Sequence, residues 1–183
     1  MKVLDIDKPE SFHVHFIGIG GISMSGLAEI LIHKGYTVSG SDIKDSHIIR
    51  KLENKGARIS IGHHPSNIQG AHLVVYTAAV KEDNPEIQEA KSKNIPLMDR
   101  ATMLGQIMET YPFSIGIAGS HGKTTATSML SVIMTHAKLD PTVLVGGEVD
   151  AIGGNVRTGN SPYFIPKPAN MWKASYTFGH TLL

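Results

Sequence analysis

Short apolar runs alternate with amphipathic stretches along the chain. Residues 12–17 read as a buried strand that runs into glycines. Residues 22–33 read as a helix with Leu27, Ile30 and Leu31 turned inward. A second strand is expected at 36–39, then a helix over 46–54 carrying Ile48, Ile49 and Leu52 and stopping near Gly56. Further strands are expected at 57–61, 73–76 and 95–98. Helices are expected at 84–93, with Pro85 in its first turn, and at 101–110. Regular alternation of strand and helix implies an α/β fold, a parallel sheet covered on both faces and joined by right-handed crossovers.

Around Tyr111 and Pro112 the pattern restarts. Residues 113–118 again predict a strand entering a glycine turn, 123–136 a helix, and 143–145 another strand. Residues 146–161 are glycine-rich and polar and read as loop. A boundary is therefore expected near residue 110, with a second nucleotide-type unit after it. So few elements of a larger sheet should leave apolar surface uncovered.

Composition narrows the class. The 183 residues are 41% hydrophobic and 18% charged, which suits a folded core rather than a disordered chain. Seventeen basic and sixteen acidic residues nearly cancel, so nothing points to a nucleic-acid partner. Without cysteine, disulfides and thiolate metal sites are impossible. The first apolar stretch, 12–22, is short and broken by glycine, which fits neither a secretion signal nor a membrane span. A cytoplasmic protein is expected.

Two glycine turns carry the candidate chemistry. The first is Gly18-Ile19-Gly20-Gly21-Ile22-Ser23, between a strand and a helix. Glycines let the backbone approach a phosphate while helix N–H groups face the anion. Asp42 follows the second strand about 20 residues on, where an acidic group commonly meets a ribose hydroxyl. Ser23 stands where G-x-G-x-x-G has its third glycine. Alone, this turn would suggest NAD, or glycines that merely shape a bend.

The second turn is Gly119-Ser120-His121-Gly122-Lys123-Thr124-Thr125. Its backbone amides could cradle the phosphates of a triphosphate such as ATP. Lys123 would neutralise the β/γ oxygens and Thr124 would hold Mg²⁺. Histidines at 13, 15, 63 and 64 lack a third ligand at sensible spacing and are expected to be solvated or hydrogen-bonded. Met129 and Met134 follow helical spacing and are expected in the core.

The string G-I-G-G-I-S-M-S-G-L-A after H-F, S-G-S-D at the end of the second strand, and A-G-S-H-G-K-T-T-A-T together resemble the Mur ligases. P-T-V-L-V-G-G and G-G-N-V-R-T-G-N-S-P-Y-F-I extend the likeness to Ile165. Gly20-Gly21-Ile22, where the tripeptide-recycling branch has a Cys-Gly-Thr type of sequence, favours the alanine-adding branch, with the former as the alternative. The resemblance implies a Rossmann-like parallel-sheet domain over 1–110 for the UDP part of UDP-N-acetylmuramate. It also implies the incomplete start of a P-loop-type ATP-binding domain over 111–165.

On this resemblance Gly18, Gly20, Gly21 and Ser23 face the diphosphate, and Asp42 and Thr77 lie near the uridine side. His121 and its neighbours line the ATP site, while Arg100 matches a family position near the domain junction. L-alanine would be the second substrate, joined through an acyl phosphate. The other readings are a nicotinamide-dependent dehydrogenase, which leaves Gly122-Lys123-Thr124-Thr125 unexplained, and a non-catalytic UDP-sugar-binding module.

After Ile165 the family continues with a pattern like T-E-A-x-E-x-x-x-S-F-L, but this chain reads P-K-P-A-N-M-W-K-A-S. One permitted coding of 166–175, regrouped by one base, translates as T-E-A-C-E-Y-V-E-S-F. Residues 166–183 are therefore expected to be an out-of-frame tail. Without the metal-binding glutamate and the later domains, the chain alone is expected to be inactive as a ligase.

Overall fold

The computed structural model describes Leu4 and residues 9–117, 121–149 and 152–166. The expected out-of-frame tail, apart from Pro166, lies outside the described residues, as do Gly119 and Ser120.

The first sheet has five parallel strands: β1 (His13–Ile17), β2 (Thr37–Asp42), β3 (Arg58–Ile61), β4 (Leu73–Tyr76) and β5 (Leu97–Asp99). Their spatial order is β3-β2-β1-β4-β5, a doubly wound arrangement whose direction reverses between β1 and β4. Three helices connect them, α1 (Ile22–His33), α2 (His47–Asn54) and α3 (Pro85–Ser92), and a fourth, α4 (Arg100–Glu109), follows β5. Local chemistry sets the helix starts. Ser46, Asn84 and Asp99 each accept first-turn amides with their side chains, and Pro85 supplies the N-terminal φ of α3. The central strand β4 carries an apolar run because both faces of the sheet are covered there: α1 and α4 pack one face, α3 the other.

The second sheet has the order β6-β9-β7-β8, built from β6 (Phe113–Ser114), β7 (Thr142–Val149), β8 (Gly154–Arg157) and β9 (Tyr163–Pro166). One helix, α5 (Lys123–His136), lies against it through Met134, Val143, Val145 and Ile165. Three expectations are corrected here. The stretch 146–161 is not a loop: β7 runs on to Val149 and turns back antiparallel as β8. Glycine and asparagine hide this hairpin from a hydrophobic count.

Secondly, β6 stops at Ser114 rather than 118. Ile115 donates to the Phe164 carbonyl, so Phe164 faces β6 and so does Pro166, two residues on. Proline has no N–H to return, and the ladder ends. Thirdly, Met134 is buried as expected, but Met129 is 61% exposed. With Ile133, Phe113 and Ile115 it leaves apolar surface uncovered on this unit, as expected for so few elements.

α1 is shared by both sheets. The main core runs from Val14, Phe16 and Val75 through Met24, Leu27 and Leu31 to Leu144, Val156 and Phe164 of the second sheet. Gly26 permits the approach of β7, and the Asn155 side chain of β8 donates to the Ile22 carbonyl at 2.6 Å. At the other end Tyr111 stacks on Phe164 at 4.9 Å, and Lys34 of the α1 C-cap sits 3.9 Å above the Tyr111 ring.

Candidate functional site

The first glycine turn leaves the C-terminal end of β1, beside the point where strand order reverses, the usual ligand crevice of such sheets. Gly18 has φ +81, and a β-carbon there would lie 2.8 Å from Thr77 Cγ2, so the residue after β4 forms the opposite wall. The turn is tightly held. Ser41 O accepts the amides of Gly18 (2.8 Å) and Ile19 (3.1 Å), and Gly18 O accepts that of Gly21 (3.3 Å). Asp42 Oδ2 accepts the Gly20 amide at 2.9 Å, and its Oδ1 accepts that of Lys44 at 3.3 Å.

The turn's own amides are therefore largely engaged. What remains for an anion is the first turn of α1, whose N–H groups point out of the helix end beside half-buried Ser23. Gly21 is its N-cap and offers no side chain to close that end. Gly18, Gly20, Gly21, Ser23, Asp42 and Thr77 thus come together at the C-terminal end of the central strands. A cleft of about 180 Å³ between α1, α2 and the β7–β8 turn lies on the flank of α1 instead, lined by Ser25, Glu29, Lys51 and Asn155 among others.

The second turn opens α5. Gly122 is its N-cap at φ +75 with nothing within 4 Å of a β-carbon position, and no side chain caps the helix. Lys123 and Thr124 begin the helix half-buried; His121 and Thr125 are exposed. An uncapped, glycine-led helix start with a lysine in its first turn is a suitable anion cradle. Arg100 is the first residue of α4, at the end of β5.

Behind the first turn lies a polar network that spacing had suggested only in part. His13 Nε2 and His15 Nδ1 each lie 2.7 Å from Ser39 Oγ, so the two histidines share a face and meet on one serine. Among the described residues no group of three or more His, Cys, Asp or Glu is arranged to hold a metal ion. Glu86 of α3 is fully buried and accepts from Ser41 Oγ (2.6 Å) and Asn67 Nδ2 (2.6 Å). Burial alone would raise its carboxyl, but His15, Ser41 and Asn67 outweigh that and bring it down to about 2. Glu86, Ser41 and Asn155 were not singled out from sequence; only N-P-E at a helix start could have drawn attention to Glu86.

Residues 13–112 match the family model described as Mur ligase family, catalytic domain. The chain belongs to the Mur ligase family. It is 63% identical over 166 residues to a UDP-N-acetylmuramate–L-alanine ligase of Acetivibrio thermocellus, covering 90% of this chain and 35% of that relative. It is 60% identical over 162 residues to the enzyme of the same name from Caldanaerobacter subterraneus, covering 88% and 35%.

Among solved structures, the UDP-N-acetylmuramate-alanine ligase of Thermotoga maritima superposes with TM-score 0.77 at 33% identity, covering 84% of this chain and 36% of that one. A UDP-N-acetylmuramate:L-alanyl-gamma-D-glutamyl-meso-diaminopimelate ligase from Neisseria meningitides gives TM-score 0.77 at 29% identity, covering 85% and 52%. The chain thus spans about a third of the length of the curated relatives it matches. The family match takes in the first glycine turn and ends before the second. Among the described residues no helix is long and apolar enough to cross a membrane.

Proposed function

We propose that this chain supplies the UDP-substrate site and the ATP-phosphate loop of a ligase that joins L-alanine to UDP-N-acetylmuramate in peptidoglycan precursor synthesis. The carrying observation is the pairing of two glycine-led helix starts, α1 and α5, one on each sheet. In this reading residues 1–110 form the UDP-substrate domain and 111–165 the beginning of the ATP-binding domain. The reaction would take place in the cytoplasm. Identity of 63% and 60% to alanine-adding relatives favours that substrate over murein tripeptide.

The chemistry follows from charge. Joining a carboxylate to an amine requires an activated carboxyl, here the lactyl carboxylate converted to an acyl phosphate that the alanine amine displaces. The crowded phosphate oxygens need fixed positive charge and directed N–H groups. Lys123 at the start of α5 supplies the first, and the α5 amides after Gly122, with His121 and Thr125 at the rim, supply the second. Gly119 and Ser120 complete the loop in sequence. Thr124 would offer a hydroxyl to Mg²⁺, which when bound neutralises phosphate charge.

At the other turn, the first-turn amides of α1 with Ser23 take the diphosphate. Gly18, Gly20 and Gly21 keep the approach clear, Asp42 fixes the turn on the uridine side, and Thr77 walls the crevice. Calorimetric titration of the 183-residue chain with UDP-N-acetylmuramate and NADH tests this. Binding of the UDP compound without NADH is expected; binding of NADH alone would overturn the reading.

A further inference from the structure

We infer that Glu86 is a positioning residue for the first glycine turn: its buried carboxylate, paired with a doubly protonated His15, fixes Ser41, whose carbonyl holds the Gly18 and Ile19 amides. The inference rests on the proposed UDP-substrate site and names a residue outside that site's contact surface.

Proton accounting carries the first half. The His13 ring bonds through Nε2 to Ser39 Oγ at 2.7 Å, and its other nitrogen, Nδ1, is turned toward the Gly70 backbone, whose carbonyl favours a proton there. A carbonyl has no proton to give, so the nitrogen facing Gly70 keeps its own, and Nε2 of the neutral ring must accept. Burial, the main influence on His13, holds its pKa below the usual histidine range, in keeping with a neutral ring. The single hydroxyl proton of Ser39 is thereby spent on His13. Ser39 Oγ can then only accept from His15, so His15 Nδ1, 2.7 Å away, carries a proton.

The remaining nitrogen, His15 Nε2, is buried with no hydrogen-bond partner, and it faces Glu86 Oε2 at 3.7 Å. A lone pair aimed at a buried carboxylate would be repelled. A proton there makes the contact an ion pair, at a distance too long for a hydrogen bond but well within electrostatic reach.

Donor convergence carries the second half. Glu86 accepts from Ser41 Oγ and Asn67 Nδ2, each at 2.6 Å, and from the His64 backbone N–H at 3.4 Å. His63 Nδ1 lies 3.0 Å from Ser41 Oγ and 3.3 Å from Glu86 Oε2, so its proton serves that corner too. Every neighbour is a donor, as an ionised carboxylate needs. Ser41 stands in register with Ile17 in the β1–β2 ladder, and its carbonyl receives Gly18 at 2.8 Å and Ile19 at 3.1 Å. One carboxylate from α3 thus clamps the residue that sets the path of the turn, and with it the approach to the α1 N-terminus.

The test uses the 183-residue chain, with UDP as probe, in wild type, Glu86→Gln and Ser41→Ala. Glutamine keeps the shape, but its NH₂ must face donors whichever way it turns. In wild type, long-range ¹⁵N spectra should show both His15 ring nitrogens protonated, and in Glu86→Gln only one. Amide exchange at Gly18 and Ile19 should quicken, and UDP binding weaken, by about tenfold each in Glu86→Gln. Should Glu86→Gln not fold, Ser41→Ala decides: His15 stays doubly protonated while Gly18 and Ile19 still exchange faster. A neutral His15 in wild type overturns the pairing, and unchanged exchange at Gly18 and Ile19 in the folded variants overturns the positioning role. A wild-type chain that ignores UDP, while those amides still respond to Glu86, sinks the ligand reading and supports the clamp.

Discussion

A β-carbon on Gly26 would stand 2.4 Å from Leu144 Cδ1 and 3.3 Å from Asn155 Nδ2. Helix α1 can lie between two sheets only because this position carries no side chain. Alanine is the better helix former by about 1 kcal/mol, so propensity alone would stabilise Gly26→Ala. Overpacking a filled core costs roughly 1–3 kcal/mol, and Leu144, the side chain that would have to move, is buried. A net loss of about 1 kcal/mol is expected by urea denaturation. An unchanged or raised midpoint would mean that the second sheet separates from α1 at little cost.

Acid should undo the network around Glu86. Its carboxyl falls from 4.5 to about 2 in the folded chain. A depressed carboxylate contributes stability that is complete above the unfolded value and lost as pH falls from about 4.5 through about 2. The contribution is on the order of 3 kcal/mol. His13 adds an earlier loss: buried and held below 6.5, it resists protonation, so its contribution shrinks once pH drops under the ordinary histidine value. The groups facing Glu86 are His15 from β1, Ser41 from β2, and His63, His64 and Asn67 from the segment after β3. Stability measured against pH in Glu86→Gln should be lower near neutrality and flatter between pH 5 and pH 2, on the order of 1 kcal/mol or less. Parallel curves for the two proteins would show that Glu86 is not the group titrating there.

What sequence revealed and what it hid divide along a physical line. Strands β1 and β4 and helices α1 and α5 were legible because each is a compact apolar or amphipathic run, and β1 and α1 also end at glycine. The 3-2-1-4-5 sheet was implied only as a class, since spatial order depends on pairings between distant residues. The β7–β8 hairpin escaped because Gly146, Gly147, Gly153 and Gly154 dilute the alternation that marks a strand. Asn155 was invisible for the same reason, although it is the residue that touches the first turn of α1. Glu86 was hidden because a charged residue near a helix start reads as solvated, and only tertiary packing shows it buried.

Lys123 allows a separation of nucleotide binding from folding. It is half-buried at the first turn of α5 and belongs to none of the three apolar clusters. Lys123→Ala should weaken ATP binding by on the order of tenfold or more, because a charge-assisted phosphate contact is lost. UDP-N-acetylmuramate binding and the melting temperature should stay close to wild type. Calorimetry with each nucleotide, alongside a thermal melt, reads both. Equal ATP affinity in the two proteins would remove Lys123 from the phosphate loop.

Glu29 offers a sharper test of how α1 and α2 are joined. Its side chain is 7% exposed on α1, yet it meets two cations from α2 and its C-cap: Lys51 at 3.2 Å and Lys55, closer still. Lys51 and Lys55 are four residues apart, so the helix presents both to the same carboxylate. Either lysine alone can neutralise the buried charge. Lys51→Met or Lys55→Met should therefore cost about 1 kcal/mol or less, since each ammonium is partly solvated and its stem still packs. Removing both leaves an unpaired buried anion, for which a cost of roughly 3 kcal/mol is expected. The double variant should thus lose more than the two single losses added together, a non-additivity that urea denaturation of the four proteins would resolve. Strict additivity would mean that water, rather than α2, already compensates Glu29, and that the first helix pair is held by Ile49, Leu52 and their apolar neighbours alone.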